Sequence, residues 1–246
     1  MPQRAKIKRI VPMEKNKGAA AMNYLYPRPK AFSNPDKDFS QEELSAILQK
    51  PDADLTDTDF LYIFQSPVCA GTYRECAYFV PVILKRLEAR NPDDDIASMA
   101  DCFLNWVDHF AEQLKRDRRF DEIVSVVMDE ARALSERFAG ESTDGSIFCE
   151  IFSGLNDGRS FDHAGDKLLK EMLDKPLCYD NAAWFFDLLD WFYGNLYQSS
   201  ELLRQLSADD PFKERACDVL LKEIISRNDC ELLSHWEKVL TRCGVL

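Results

Sequence analysis

From residue 39 to the C-terminus, apolar residues recur at spacings of three and four, the period of one face of an α-helix. No stretch is typical of a β-strand. The pattern predicts an all-α fold of about ten mostly antiparallel helices, in a layered bundle or an irregular HEAT-like array. The predicted helices cover 44–49, 60–65, 72–90, a segment from the acidic turn 91–95 to about 114, 120–138, 147–152, 164–173, 181–197, 200–206, 212–227 and 230–242.

Local signals indicate where several of these helices begin. Ser40 with Glu43, and Thr72 with Glu75, match the capping box, in which two side chains accept hydrogen bonds from free backbone amides. Asp210 followed by proline indicates another start. Pro81 lies inside an apolar stripe and is expected to kink or divide the helix there, since proline has no amide donor.

Residues 1–38 are predicted to be an irregular, basic N-terminal arm, because three prolines interrupt any helix there. We expect residues 39–246 to form a single all-helical domain. Five glycines between 139 and 165 mark its loosest region, where the domain could divide.

The helix predicted over 181–197 is apolar over most of its circumference and must therefore be surrounded by other helices. We expect it to pack on the preceding helices, including the face that carries Phe103, Trp106 and Phe110. Its predicted core residues are Trp184, Leu188, Trp191, Phe192 and Leu196.

Charge is divided unevenly along the chain. Residues 1–30 hold eight Lys or Arg and one acid, a net +7, which leaves −19 for the rest of a chain whose total is −12. The acidic body is expected to repel nucleic acid and anionic membranes and to favour a basic protein partner. Nucleic-acid contact is expected only through the arm, residues 1–30.

The eight cysteines are scattered, with no CxxC pair and no disulfide framework. The basic start is not followed by the apolar region of a signal peptide. No window has the uninterrupted apolar length of a membrane span, so we expect no membrane partner. These features predict a cytoplasmic protein with reduced thiols.

The common signatures for phosphate loops, dinucleotide binding, serine nucleophiles and zinc proteases are missing from the sequence. Two sets of metal-type ligands can be assembled, Cys102 with His109, and His235 with Cys230 and Cys243. Their spacings differ from those of structural zinc sites. We interpret them as core-edge and surface residues, and expect no metal and no cofactor.

The best candidate site is the glycine-rich segment 154–166. His163 and Asp166 are spaced to share a helix face, where a carboxylate would raise the basicity of the histidine. The same residues are typical of a turn and a helix start, so none is assigned a catalytic role. The segment offers Asp157, Arg159, Asp162, His163 and Asp166.

Asp187 and Asp190 share the polar stripe of the apolar helix. Two carboxylates about one turn apart can act as an acid–base pair or hold a cation. Because no histidine or third carboxylate shares the stripe, we interpret them as its solvated edge or as partners of an arginine.

Phe64-Gln-Ser-Pro67, followed by Tyr73 and by Tyr78-Phe79-Val80-Pro81, resembles a pattern in small uncharacterised bacterial helical-array (HEAT-like) proteins. In those proteins an aromatic pair precedes a proline at the start of a long helix. The resemblance covers a short part of the chain. It implies an all-helical fold and brings no activity and no catalytic residues.

The leading hypothesis is a non-catalytic helical protein–protein interaction module with an acidic surface, resembling an immunity protein or antitoxin, with a basic protein as partner. An alternative is an enzyme or small-ligand binder that uses segment 154–166 with Asp187 and Asp190. The sequence leaves catalysis open and favours its absence. A further alternative is nucleic-acid contact through residues 1–30.

Overall fold

The computed structural model describes residues 22–34, 39–65, 70–89, 96–137, 142–194 and 200–246. Regular structure in these ranges is entirely helical, which confirms the predicted all-α class. A 3-10 turn covers Asp52–Asp54. The α-helices are α1 (Gln41–Gln49), α2 (Asp57–Phe64), α3 (Tyr73–Ala77), α4 (Val80–Ala89), α5 (Ile96–His109), α6 (Ala111–Arg116), α7 (Phe120–Arg137), α8 (Ser142–Asp157), α9 (Ala164–Leu173), α10 (Tyr179–Gly194), α11 (Glu201–Ser207), α12 (Asp210–Arg227) and α13 (Cys230–Arg242).

The two predicted capping boxes are both formed. At the start of α1, the Ser40 hydroxyl accepts from the Glu43 amide at 3.1 Å, and the Glu43 carboxylate accepts from the Ser40 amide at 3.1 Å. At the start of α3, the Thr72 amide donates to the Glu75 carboxylate at 2.8 Å. Backbone amides that would otherwise lack a partner at the helix ends are satisfied in this way.

Prolines set two further boundaries. Pro81 divides the predicted helix 72–90 into α3 and α4, as expected for a residue without an amide donor. The predicted cap of α12 was one residue late. Its cap is Asp209 instead of Asp210, because the Asp209 carboxylate accepts from the Phe212 amide at 2.9 Å, three residues on. Pro211 is therefore the second residue of the helix.

α10 is largely buried and packs mainly on α7, α8, α12 and α13. The predicted core residues Trp184 and Leu188 are buried, at 2% and 0% exposure, and are confirmed. Trp191 packs against this core but is only partly buried. Phe192 and Leu196 lie outside the described side chains.

α10 packs on the preceding helices α7 and α8, as predicted, whereas the aromatic face of α5, also expected to contact this core, packs on rings of α2 and α3. The rings of Phe103 and Trp106 each lie 5.1 Å from the ring of Phe64 in α2. Trp106 also stacks on Tyr73 at 5.8 Å, and Phe110 lies 5.1 Å from Trp106. α8 packs on both α5 and α10, so it links the two aromatic clusters.

The region predicted to be loosest, 139–165, contains a long helix. Only 147–152 was predicted to be helical, whereas α8 runs from Ser142 to Asp157 and is buried at 147–149 and 151–156. Gly154 explains the error. A Cβ at this position would lie 2.6 Å from Cδ1 of Leu104 in α5, so the glycine permits a close contact between two helices.

Candidate functional site

The predicted segment 154–166 is shared between two helices and a short connection. Residues 154–157 belong to α8, 158–163 form the connection, and 164–166 begin α9. Asp162 and His163 both have a left-handed backbone, with φ of 51° and 53°. Asp and His tolerate this conformation better than most residues. The segment is a tight turn between packed helices.

Asp166 joins three helices. Its carboxylate accepts from the Ser200 hydroxyl at 2.5 Å and from the Leu202 amide at 3.3 Å, at the start of α11. Asn156 of α8 donates to the same carboxylate at 3.3 Å and accepts from the Asp166 amide at 2.9 Å. His163 is exposed and precedes α9, so the predicted helix face shared with Asp166 is not formed. These contacts hold helices together and do not pair a base with an acid.

The other candidates of the segment also lie apart. Asp162 is exposed, and its hydrogen bond to Lys167 at 2.6 Å lowers the pKa of its carboxyl. Asp157 and Arg159 are exposed at the end of α8 and in the connection. With His163 also exposed, these side chains do not surround a common point shielded from water. They are arranged as the solvated side of a turn.

Asp187 and Asp190 are half-buried on α10 and differ in their partners. Asp190 accepts two hydrogen bonds from Arg242 of α13, at 2.5 and 2.6 Å, so the interpretation as an arginine partner is confirmed for this residue. Burial, and then the charge of Asp190, raise the pKa of Asp187 to about 7, while Arg242 opposes the rise. A carboxyl whose pKa lies this close to neutrality has a property that acid–base catalysis uses.

The groups that interact with Asp187 do not complete a catalytic set. Burial is the main cause that raises the pKa of Cys149, and it raises the pKa of Cys243 to about 12. Both thiols are therefore protonated at neutral pH and are poor nucleophiles. Cys243 donates to the carbonyl of Phe186 at 3.7 Å. With Asp190 held by Arg242, the described residues around Asp187 supply it with neither a base nor a nucleophile as a partner.

The metal-type ligands proposed from sequence are also dispersed. Cys102 is half-buried and His109 is exposed. Cys230 and His235 are exposed on α13, whereas Cys243 is buried. Across the part of the chain that the structure describes, no group of three His, Cys, Asp or Glu side chains is arranged to hold a metal ion.

A set of polar contacts that the sequence did not indicate holds the N-terminal segment (residues 22–34) on the helical body. Asp52, in the 3-10 turn, accepts from the Tyr24 hydroxyl at 2.9 Å and the Tyr78 hydroxyl at 2.7 Å. It also pairs with Arg28 at 2.7 Å. The two tyrosine rings stack with centroids 4.6 Å apart. One carboxylate of the body therefore binds two side chains of the segment.

Asp117, between α6 and α7, repeats this arrangement. It accepts from the hydroxyls of Tyr26 at 2.6 Å and Tyr73 at 2.7 Å. The hydrogen bond from Tyr26 is the main cause that lowers the pKa of Asp117. Burial, followed by the hydrogen bond to Asp117, raises the pKa of Tyr73. At neutral pH the carboxylate is ionised and the tyrosines are protonated, as both hydrogen bonds require.

The far end of the segment is held by a third carboxylate. The amide and the hydroxyl of Ser33 donate to Glu75 at 3.1 and 2.8 Å. Phe32 is buried at 4% exposure, with its ring 5.9 Å from that of Phe79. Polar anchors and one apolar anchor therefore fix the segment along its length.

Comparisons with protein-family models, with curated proteins and with solved structures each find no match. The HEAT-like resemblance therefore stays a prediction. Among the helices of the described residues, none is both long and apolar enough to cross a membrane.

Proposed function

We propose that the protein is a non-catalytic helical interaction module of the cytosol. Its acidic surface binds a basic partner protein in the manner of an immunity protein or an antitoxin. The observation that supports this proposal is the way in which the N-terminal segment is held. Asp52, Glu75 and Asp117 of the helical body hold a non-helical stretch through tyrosine, serine and arginine donors.

This intramolecular contact has the chemistry that a basic partner would present. Arginine and tyrosine donors on a partner could bind other surface carboxylates of this chain in the same way, since residues 31–246 carry a formal charge of −19. Hydrogen bonds between ionised and neutral or oppositely charged groups are stronger than neutral ones. The excess of one charge sign also speeds the encounter with a partner of opposite sign.

Two of the candidate acids of the helical body support a non-catalytic function. Asp166 and Asp190 are engaged by the chain's own side chains. The thiols of Cys149, Cys178, Cys217, Cys230 and Cys243 are not joined in disulfides, which fits the reducing cytosol of the proposal.

The proposal is tested by affinity purification of the full chain from native lysate at low salt, with quantitative mass spectrometry. A helical protein of similar size and net charge serves as the control bait. We expect one basic protein enriched over the control and released by high salt, because salt screens the attraction. Enrichment of no protein over the control, or of an acidic protein insensitive to salt, would contradict the proposal.

The immunity-like form of the proposal has a sharper consequence. Expression of the recovered partner alone should arrest growth, and co-expression of this chain should restore it. If the partner is harmless when expressed alone, the immunity-like form is excluded and only a general interaction module is supported.

A further inference from the structure

A cavity of about 340 Å³ lies between the N-terminal segment, the 3-10 turn, α2 and α4. Pockets for small molecules are typically about 300–1,000 Å³ and combine apolar walls with a few polar groups. This cavity is distinct from segment 154–166 and from the Asp187–Asp190 cluster. It does not depend on the proposed protein partner.

The walls of the cavity are largely apolar and aromatic. Leu55 and Phe60 are buried beneath it at 3% and 1% exposure, and Val82 of α4 is half-buried at its side. The ring of Tyr24, 45% exposed, forms the wall supplied by the N-terminal segment. Its stacking on Tyr78 and its hydrogen bond to Asp52 fix the position of this ring. A flat apolar molecule therefore finds a pre-formed surface.

The charged groups of the cavity favour an anion. Lys85 is exposed and forms no ion pair with the described residues. Arg86 pairs with Asp57 through Nε at 3.0 Å. Asp52, the acidic residue of the lining, already accepts two tyrosine hydroxyls and Arg28. Arg86 and Asp52 are each balanced by an ion pair, which leaves the positive charge of Lys85 without an ion pair among the described residues, on a body with a large acidic excess.

We infer that this cavity binds a small organic anion with a flat apolar body, such as an aromatic carboxylate, sulfonate or phosphate ester. The aromatic body packs between Tyr24, Phe60 and Val82. The anionic group lies at the rim, near Lys85 and Arg86. The site binds its ligand without a chemical step.

The test uses two fluorescent probes that share one aromatic body. Anilinonaphthalene sulfonate carries a negative charge, and N-phenylnaphthylamine does not. We expect the full chain to bind the sulfonate saturably with one site and more tightly than the neutral probe. Lys85→Gln should weaken sulfonate binding by about tenfold or less while leaving the neutral probe unchanged, since one exposed charge contributes modestly. Lys222→Gln, on α12, is the matched control.

Two variants fill the cavity from opposite sides, so that a folding defect in one does not decide the result. Val82→Trp fills it from α4, and Ala53→Phe fills it from the exposed 3-10 turn. Both should abolish one-site binding of the sulfonate while retaining the helical circular dichroism of the parent. Absence of saturable binding, or undiminished binding in both variants, would overturn the site. An equal loss of both probes in Lys85→Gln would overturn its preference for anions.

Discussion

Single carboxylates join distant parts of this protein. Asp166 joins α8, α9 and α11, Asp190 joins α10 to α13, and Asp117 joins the N-terminal segment to α3. Charge-assisted hydrogen bonds are roughly twice as strong as neutral ones, so part of the acidic excess stabilises the fold itself. Asp187 differs, because burial opposes its ionised form.

The raised pKa of Asp187 makes stability depend on pH. The folded protein retains the proton of Asp187 up to about pH 7, whereas the unfolded chain releases it near the ordinary value of 3.8. The free energy of unfolding therefore falls as pH rises through this window. Asp187→Asn does not titrate. From pH 4 to pH 8, we expect the free energy of unfolding of the variant, measured by urea melts, to rise by at least about 1 kcal/mol relative to that of the parent.

The exposed Asp121→Asn on α7 is the control for this experiment, because it removes one carboxylate without altering the buried surroundings of Asp187. Identical profiles for Asp187→Asn and the parent would show that the Asp187 carboxyl is solvated and does not oppose folding.

Burial separates the two tryptophans of α10. Trp184 is 2% exposed and lies 5.4 Å from the ring of Phe148, whereas Trp191 is only partly buried. Truncating a buried tryptophan typically costs about 3–5 kcal/mol, much of the stability of a domain. We expect Trp184→Ala to lower the urea midpoint sharply and Trp191→Ala to cost less. Equal losses for both variants would contradict the difference in burial between the two tryptophans.

At the scale of elements, the N-terminal segment is the piece whose attachment can be weakened on its own. Asp117→Asn removes the negative charge that accepts from Tyr26 and Tyr73. Hydrogen bonds to charged groups contribute about 1.5–3 kcal/mol, so the segment should open more often. Hydrogen exchange with mass spectrometry should show several-fold faster exchange across 22–34, with α10 unchanged. Asp121→Asn is again the matched control, and unchanged exchange in Asp117→Asn would show that the other anchors suffice.

Local sequence signals predicted helix ends well and contacts between elements poorly. Capping boxes and Pro81 act on residues a few positions away, so the local sequence is enough to predict these helix ends. Gly154 could not be distinguished from a loop glycine in the sequence, because glycine is required there by the close approach of a side chain of α5. The bond from Tyr26 to Asp117 spans 91 residues, and no local pattern names such a partner. The same limit applies to Asp166, whose hydrogen bond comes from Ser200, 34 residues away along the chain.

At the scale of the whole molecule, the uneven charge gives two of the hypotheses opposite consequences. Residues 1–21 hold six basic residues and one glutamate, so their removal changes the formal net charge from −12 to −17. A body that attracts a basic partner should then attract it more strongly. An arm that binds nucleic acid should lose its salt-dependent affinity.

We therefore compare the full chain with a chain that begins at Met22 and so keeps the whole N-terminal segment. Stopped-flow association with a lysine-rich peptide at low salt should be at least about twofold faster for the shorter chain, and the difference should vanish at high salt, where the charges are screened. Binding to a DNA duplex, followed by fluorescence anisotropy, should be equally weak for both chains. Slower association of the shorter chain, together with DNA binding that requires residues 1–21, would assign the interaction to the basic arm and contradict the proposed acidic surface.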